Sequence, residues 1–249
     1  MVSASPITPL VAGWIADPAS ARVPDDIHLA RFAIDGVDVT FAIRHQKDRV
    51  QRKMSKGRFY EAEEHELIAR FFPKGGVFLD LGANVGNHSI YVMTYLDAKR
   101  AITVEPNPAA YELLVVNMIQ NGLIDRVDLS YLGFGVSAEA AGGMGLFTVE
   151  GNLGATSMVA DGGEISVLPA DDVVGDGHVD FVKIDVEGME MDVLAGLEQT
   201  VRRCRMPIFL EITNSHRDEL DAWMTEHGYQ VGAEGRQFRH NGNLLLVAK

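Results

Sequence analysis

Two acids and a glycine turn are spaced between Asp80 and Glu105 in a way that can hold a nucleoside. The apolar run Val77 to Leu81 leads into Gly82-Ala83-Asn84-Val85-Gly86-Asn87-His88. It reads as a buried parallel strand that breaks into a turn opening a helix, and the free amides at that helix start can face a ligand. Asn84 stands where a dinucleotide fingerprint has its middle glycine, the one that admits a pyrophosphate, so a ligand without a pyrophosphate is expected. Glu105 follows roughly 20 residues after the turn, at a strand end where an acid normally accepts both ribose hydroxyls. It also precedes Pro106-Asn107-Pro108, which has the form of a helix start.

A second segment with reactive character is Lys183-Ile184-Asp185-Val186-Glu187-Gly188. Strand alternation puts Phe181, Lys183 and Asp185 on one face and carries Asp185 to the carboxyl edge, where open α/β sheets bind ligands. A lysine buried there needs a carboxylate, and Asp80 or Glu211 is expected to pair with it. Glu187, just past the strand and followed by a flexible Gly188, is the first candidate for a general base, with capping of the next helix as its structural alternative. Asp185 belongs to the same reacting end. His216, soon after the strand ending at Ile212, is a further catalytic candidate, and His88 can line an acceptor cleft or simply pack. Asp185, Glu187 and Glu211 could meet in space, but no histidine and carboxylate run has metal-ligand spacing, and no metal is expected.

Three motifs in order, Phe78 to Asn87, Val104-Glu105-Pro106-Asn107-Pro108 and Val182 to Glu190, resemble the FkbM-type family of S-adenosylmethionine-dependent methyltransferases. The likeness covers roughly Phe59 to the C-terminus and includes Phe59-Tyr60-Glu61 and Phe209-Leu210-Glu211-Ile212. It implies an α/β, Rossmann-like class I methyltransferase fold: a mostly parallel seven-stranded sheet with an antiparallel edge hairpin at the C-terminus. It also implies S-adenosyl-L-methionine as cofactor and O-methylation of a sugar, glycoconjugate or other small metabolite. On that resemblance, Glu61 and Asp80 are expected to meet the methionine ammonium and Glu105 with Pro106 the ribose. The segment holding Phe134 and Gly135 is expected at the adenine. The turn residues Gly82, Ala83, Asn84, Gly86 and Asn87, together with Asp185, complete the cofactor contacts. An N- or C-methyltransferase, a non-catalytic cofactor-binding scaffold and a nicotinamide oxidoreductase are the rival readings.

The elements that must position these residues are legible as alternating strands and helices from Val77 onward, which implies βαβ units and right-handed crossovers. Tyr229 to Phe238 and Leu244 to Ala248, around His240-Asn241-Gly242-Asn243, read as the closing hairpin. The N-terminal extension, residues 1–58, is expected to hold an irregular proline-rich lead-in to about Asp26. A β-hairpin turning at Asp35-Gly36 and a basic stretch follow, before the catalytic domain at 59–249. Arg44 to Arg58 carries seven Lys or Arg against the single acid Asp48. This is a solvated face or a docking strip for an anionic acceptor. The glycine-rich Gly142 to Gly163 stretch reads as a lid, or as a surface hairpin pairing Leu146 to Val149 with Ile165 to Leu168.

At 249 residues and 47% hydrophobic content the chain can fill a large core, and a net charge of -13 argues against binding nucleic acid through general phosphate neutralisation. The single cysteine, Cys204, excludes an intrachain disulfide and a cysteine-rich zinc site. With no signal-like or membrane-length apolar run, a cytoplasmic enzyme with a small-molecule acceptor and no membrane partner is expected.

Overall fold

Apolar stripes on short N-terminal elements start the fold in the computed structural model, which describes residues 7–249 apart from Glu150 and Asp161. Helix α1 (Pro9–Ala16) is capped by the Thr8 side chain and buries Val11 and Trp14. The expected irregular lead-in is therefore corrected: Pro9 sits at the first helical position, where its missing N–H costs nothing. Strands β1 (His28–Ile34) and β2 (Val37–Ile43) form the hairpin expected at Asp35-Gly36. Its backbone is tied to the body by amide side chains, since Thr40 N–H donates to Asn121 Oδ1 and Ala42 N–H donates to Asn117 Oδ1. Helices α2 (Arg49–Met54) and α3 (Ala62–Ala69) follow.

The catalytic half then runs β3 (Val77–Leu81), α4 (Asn87–Tyr95), β4 (Arg100–Glu105), α5 (Pro108–Gln120) and β5 (Val127–Leu132). After β6 (Phe134–Ser137), β7 (Ala141–Val149), β8 (Asn152–Val159) and β9 (Ile165–Pro169) come α6 (Ala170–Val174) and β10 (Phe181–Ile184). The chain closes through α7 (Glu190–Ala195), α8 (Glu198–Cys204), β11 (Ile208–Thr213), α9 (Arg217–His227), β12 (Tyr229–Gln237) and β13 (Asn241–Ala248). The seven-stranded sheet has the order β12-β13-β11-β10-β3-β4-β5. Its five strands from β11 to β5 are parallel, and the β12/β13 hairpin is antiparallel, as expected for this fold class. Both faces are covered, so β3 and β10 are apolar along almost their whole length.

Two further expectations are corrected. The helix expected from Glu190 to Thr200 is broken into α7 and α8 at Gly196, which lies so close to the Ser137 carbonyl that an added Cβ would sit 2.1 Å from it. Leu146 to Val149 pairs mainly with β8, as in Phe147 with Ser157, and only the start of β7 reaches β9, through Ala141 with Val167 and Met144 with Ile165. Strands β6, β9, β7 and β8 make a separate small sheet beside the main one.

Candidate active site

The strand order brings the carboxyl ends of β3, β10 and β11 side by side, and the buried Lys183 ties the first two together. Its ammonium donates to the Gly82 carbonyl at 2.7 Å and lies 3.3 Å from Asp80 and 3.5 Å from Asp185. Burial alone would depress Lys183, but Asp80 and Asp185 more than offset it and hold the group protonated, above its ordinary value. Asp80 is fully buried and also accepts from Ser89 Oγ at 2.6 Å. It is thus the counter-ion of Lys183, and neither cavity described below is lined by it. Gly82 has φ +78, and a Cβ there would lie 1.9 Å from the Asp185 carbonyl, so the turn closes against the end of β10 only as glycine.

Over this floor opens a cavity of about 380 Å³ lined by Glu61, Asp185, Glu187 and Glu211, with Tyr60, Asn87 and His88 on its wall and Arg49 and Arg239 also lining it. Crowding and burial move its acids. Glu61 and Glu187 are each pushed up to about 7 by burial and then by Asp185, and Glu211 up to about 9 by burial, Asp185 and Glu187. Glu187 adopts φ 50, an uncommon conformation for a side-chain-bearing residue. The helix-capping role weighed for it is not seen: α7 starts without a side-chain cap, and its first residue, Glu190, accepts from Gly188 N–H, ahead of the helix, at 2.8 Å.

A narrower groove of about 50 Å³ adjoins the cavity, shares Gly82, Asn84, Asp185 and Glu187 with it, and runs past Glu105, Pro106 and Gly135. Glu105 accepts from Asn84 N–H at 2.7 Å and from Asn107 N–H at 2.9 Å. Burial pushes its carboxyl up to about 7 although both amides pull the other way. Each oxygen keeps capacity for one further hydrogen bond. Asn84 supplies the turn with a left-handed residue, φ 50, which asparagine tolerates better than most. Its Oδ1 is buried without a hydrogen-bond partner among the described residues.

The structure adds roles that the spacing did not show, for Asn87 and His88, which were expected near the site, and for His65 and Asp48, which were not. Asn87 is a clamp: its Oδ1 accepts from Tyr60 N–H and its Nδ2 donates to the Tyr60 carbonyl, each at 2.9 Å. That grip holds Glu61, at φ 56, against the cavity. His65 stacks on Tyr91 with centroids 4.2 Å apart and meets His88 edge-on at 4.6 Å. Burial drives both imidazoles down, His65 to about 3, so both are neutral. Asp48, the lone acid of the basic stretch, is buried, caps α2 through Gln51 N–H at 2.9 Å and accepts from Leu153 N–H at 2.7 Å. Its signal was an acid at a helix start inside a basic run. Through Asp48, and through Asn107 Nδ2 donating to Thr156 Oγ1 at 3.1 Å, the β7/β8 hairpin is laid over the groove as a roof.

Among the expected site residues, Glu61, Gly82, Ala83, Asn84, Asn87, Asp185 and Glu187 line the large cavity, and Glu105, Pro106 and Gly135 line the groove. Phe134 instead packs in the core, and Gly86 lies against Leu114 and Met118. His216 faces Glu190 at 3.2 Å and lines neither cavity.

A methyltransferase FkbM domain model matches residues 80–231, and a TRM5/TYW2 methyltransferase domain model matches residues 28–131. The chain is 27% identical over 205 residues to the hexuronic acid methyltransferase AglP of Haloferax volcanii, covering 78% of this chain and 74% of that protein. It resembles the crystal structure of methyltransferase FkbM from Methylobacillus flagellatus KT with a TM-score of 0.51 and 19% identity, over 70% of this chain and 44% of the other. Streptococcus pneumoniae Sp1610 in complex with S-adenosyl-L-methionine is similar with a TM-score of 0.50 and 18% identity, over 76% and 73% of the two chains.

Proposed function

We propose that this chain, which belongs to the FkbM methyltransferase family, methylates a hydroxyl of a sugar or glycoconjugate in the acid-walled cavity. The family makes it an S-adenosyl-L-methionine-dependent enzyme. When bound, that cofactor supplies a methyl group activated on a sulfonium. The residues present fit it. The groove offers Glu105 for a diol, Asn84 leaves a buried Oδ1 unpaired among the described residues, and the adjoining acids suit a ligand that carries cationic groups and no phosphate. Phe134 and Asp80 act on this reading from behind the site, Phe134 in the core and Asp80 by holding Lys183.

The observation that carries the reading is the position of Glu187 and Asp185, which line both the groove and the cavity. A donor in the first and an acceptor in the second would meet there, in line, as displacement at a methyl carbon requires. The acceptor hydroxyl must lose its proton. Glu61 and Glu187, both pushed up to about 7, sit in the range where a carboxylate works as a general base near neutral pH. His216 takes no part, because it is turned to Glu190.

A sugar acceptor is supported by the resemblance to AglP, and the Arg49 and Arg239 side chains at the cavity would suit an acceptor that also carries an acid group. The chain's net charge of -13 weighs against a nucleic-acid acceptor. No helix among the described residues is long and apolar enough to cross a membrane, and a cytoplasmic setting completes the proposal. The test is incubation with S-adenosyl-L-methionine and a panel of hexuronic acid and neutral glycosides, read by mass and by the position of the new methyl group. Methyl ethers on a sugar ring are expected. Transfer to nitrogen or carbon alone, or no saturable binding of donor or S-adenosylhomocysteine by calorimetry, would sink it.

A further inference from the structure

We propose that the basic strip from Lys47 to Arg58 and the β7/β8 hairpin packed beside it form one surface, at the mouth of the cavity, that seats this chain on an anionic lipid bilayer. Six cations of the strip, Lys47, Arg49, Arg52, Lys53, Lys56 and Arg58, stand exposed, and none of their side chains makes an ion pair or a hydrogen bond with the described residues. The seventh, Arg44, is already taken by Asp26 and Glu112. The lone acid, Asp48, is buried as the cap of α2. Burial of Val50, Gln51 and Met54 against the body turns Arg52 and Lys53 outward on the same helix. The fold therefore presents the positive charge of the strip without its negative one. In a chain of net charge -13 this is the face that an anionic surface would meet first.

A run of like charge is often only a solvated face, and the second observation is the apolar surface beside it. Three of the six large hydrophobic side chains exposed among the described residues, Phe147, Val149 and Val159, belong to the hairpin. Its register sets their direction. Leu146 pairs with Met158 on the face toward the groove, where Met158 meets Gly135, so Phe147, opposite Ser157, and Val159, opposite Gly145, point away from it. The hairpin is fastened to the strip itself: Leu153 N–H donates to Asp48, and a Cβ on Gly151 would stand 4.0 Å from the Lys47 carbonyl. Cations and apolar side chains thus share one rim, since Arg49 of the strip and Asn152, Gly154 and Ala155 of the hairpin all line the cavity.

Exposed apolar side chains with Lys and Arg around them suit interfacial binding: the cations are drawn to anionic headgroups, and the apolar side chains enter the acyl boundary. Other occupants fit less of the surface. A nucleic acid would engage the cations but leave Val149 and Val159 in water, and the rest of this acidic chain would repel it. A second copy docked symmetrically would set the strip against itself. The expectation of no membrane partner rests on the lack of a spanning run, and a chain that lies on a bilayer needs none. On the methyl-transfer reading, on which only this use of the surface rests, the cavity would open beside the headgroups, where a glycoconjugate with a lipid anchor displays its sugar.

The test is co-sedimentation of the full-length chain, without donor or acceptor, with sucrose-loaded vesicles of phosphatidylcholine alone or with about 30 mol% phosphatidylserine. Affinity for the anionic vesicles at least about tenfold above that for the neutral ones is expected, falling as salt is raised. Arg52→Glu with Lys53→Glu should lower it at least about tenfold, and Phe147→Ser about threefold or more. Lys56→Glu with Arg58→Glu is the second charge variant should the first fail to fold by circular dichroism. No binding, equal binding to the two kinds of vesicle, or binding unchanged in a folded charge variant or in Phe147→Ser would overturn the proposal, as would tighter binding of bulk tRNA than of anionic vesicles. Calorimetry with S-adenosyl-L-methionine on the same protein keeps the two readings apart. Donor binding without vesicle binding rejects the surface alone, and vesicle binding without donor binding rejects methyl transfer alone.

Discussion

The floor of the site and its roof are held by opposite means. In the floor, Asp80 and Lys183 are 0% and 2% exposed and locked by charge between adjacent strands. The roof, β7 and β8, leaves Phe147, Val149 and Val159 exposed at 60%, 42% and 41% and touches the body through a few polar contacts and the apolar side chains of Leu153 and Met158. Burial fixes the floor in one arrangement, because an unpaired charge there is intolerable. The roof is positioned by individual hydrogen bonds, each worth about 1 kcal/mol net, and by small apolar contacts. Chemistry that demands fixed geometry has been put on the first, and covering of the ligand on the second.

The largest break in this contrast is Lys183→Met. It leaves Asp80 buried without a counter-charge, a loss of roughly 3–5 kcal/mol. For a chain of this size that is a fall in Tm of about 10 °C or more, measurable by calorimetry. Adding Asp80→Asn to Lys183→Met should recover part of it. A Tm within 2 °C of wild type for the single variant would mean that the floor is not held by this pair.

Next in size is the acid wall between floor and roof. Glu61→Gln is expected to lower kcat by about 10²-fold with donor affinity little changed, since a carboxylate base contributes on that scale. In the wild type the rate should rise with pH and level off above about 7, because the base works only when deprotonated, and Glu61→Gln should erase that limb. Stability moves the opposite way. A carboxyl whose folded pKa is raised binds its proton more tightly in the native state, so its contribution is full below about 4.5 and is lost as pH rises through about 7. Wild type should therefore melt several degrees higher at pH 5.5 than at pH 8.5, and Glu61→Gln should reduce the difference by the share of Glu61, leaving the shares of Glu105, Glu187 and Glu211.

Asp48→Ala acts on the roof. It removes the cap of α2 and the acceptor of Leu153 N–H together, about 1–2 kcal/mol. Hydrogen exchange should quicken at 152–158 while the floor strands β3 and β10 stay protected. Equal acceleration in both regions would erase the distinction drawn between them.

The same contrast explains what was legible beforehand. The floor announces itself locally: Val77 to Leu81 can only be a covered strand, the turn at Gly82 must be glycine, and Lys183 in an apolar run required an acid, which proved to be Asp80. The roof does not, because its partners are far apart in sequence: Asp48 with Leu153, Asn107 with Thr156, Gly135 with Met158. The pairing of β7 with β8 differs from the expected one for the same reason, since β-branched and glycine-rich runs fit either neighbour. The convergence of Asp185, Glu187 and Glu211, allowed for from the sequence, is fixed by β11 lying beside β10.

The smallest expected effect probes where roof and groove touch. A Cβ on Gly135 would stand 2.4 Å from Met158 Sδ and 2.7 Å from its Cε. Those atoms are the end of a flexible side chain, so Gly135→Ala should be accommodated by displacing Met158 at a cost below about 1 kcal/mol. The displaced thioether has little space to enter, because the groove is only about 50 Å³. Donor affinity should therefore fall by less than about tenfold, and Met158→Ala should restore most of it in the Gly135→Ala background. Additive losses in that double-mutant cycle would show that the two residues do not meet in solution. The β7/β8 hairpin would then stand clear of the groove, and the roof would form only once the donor is in place.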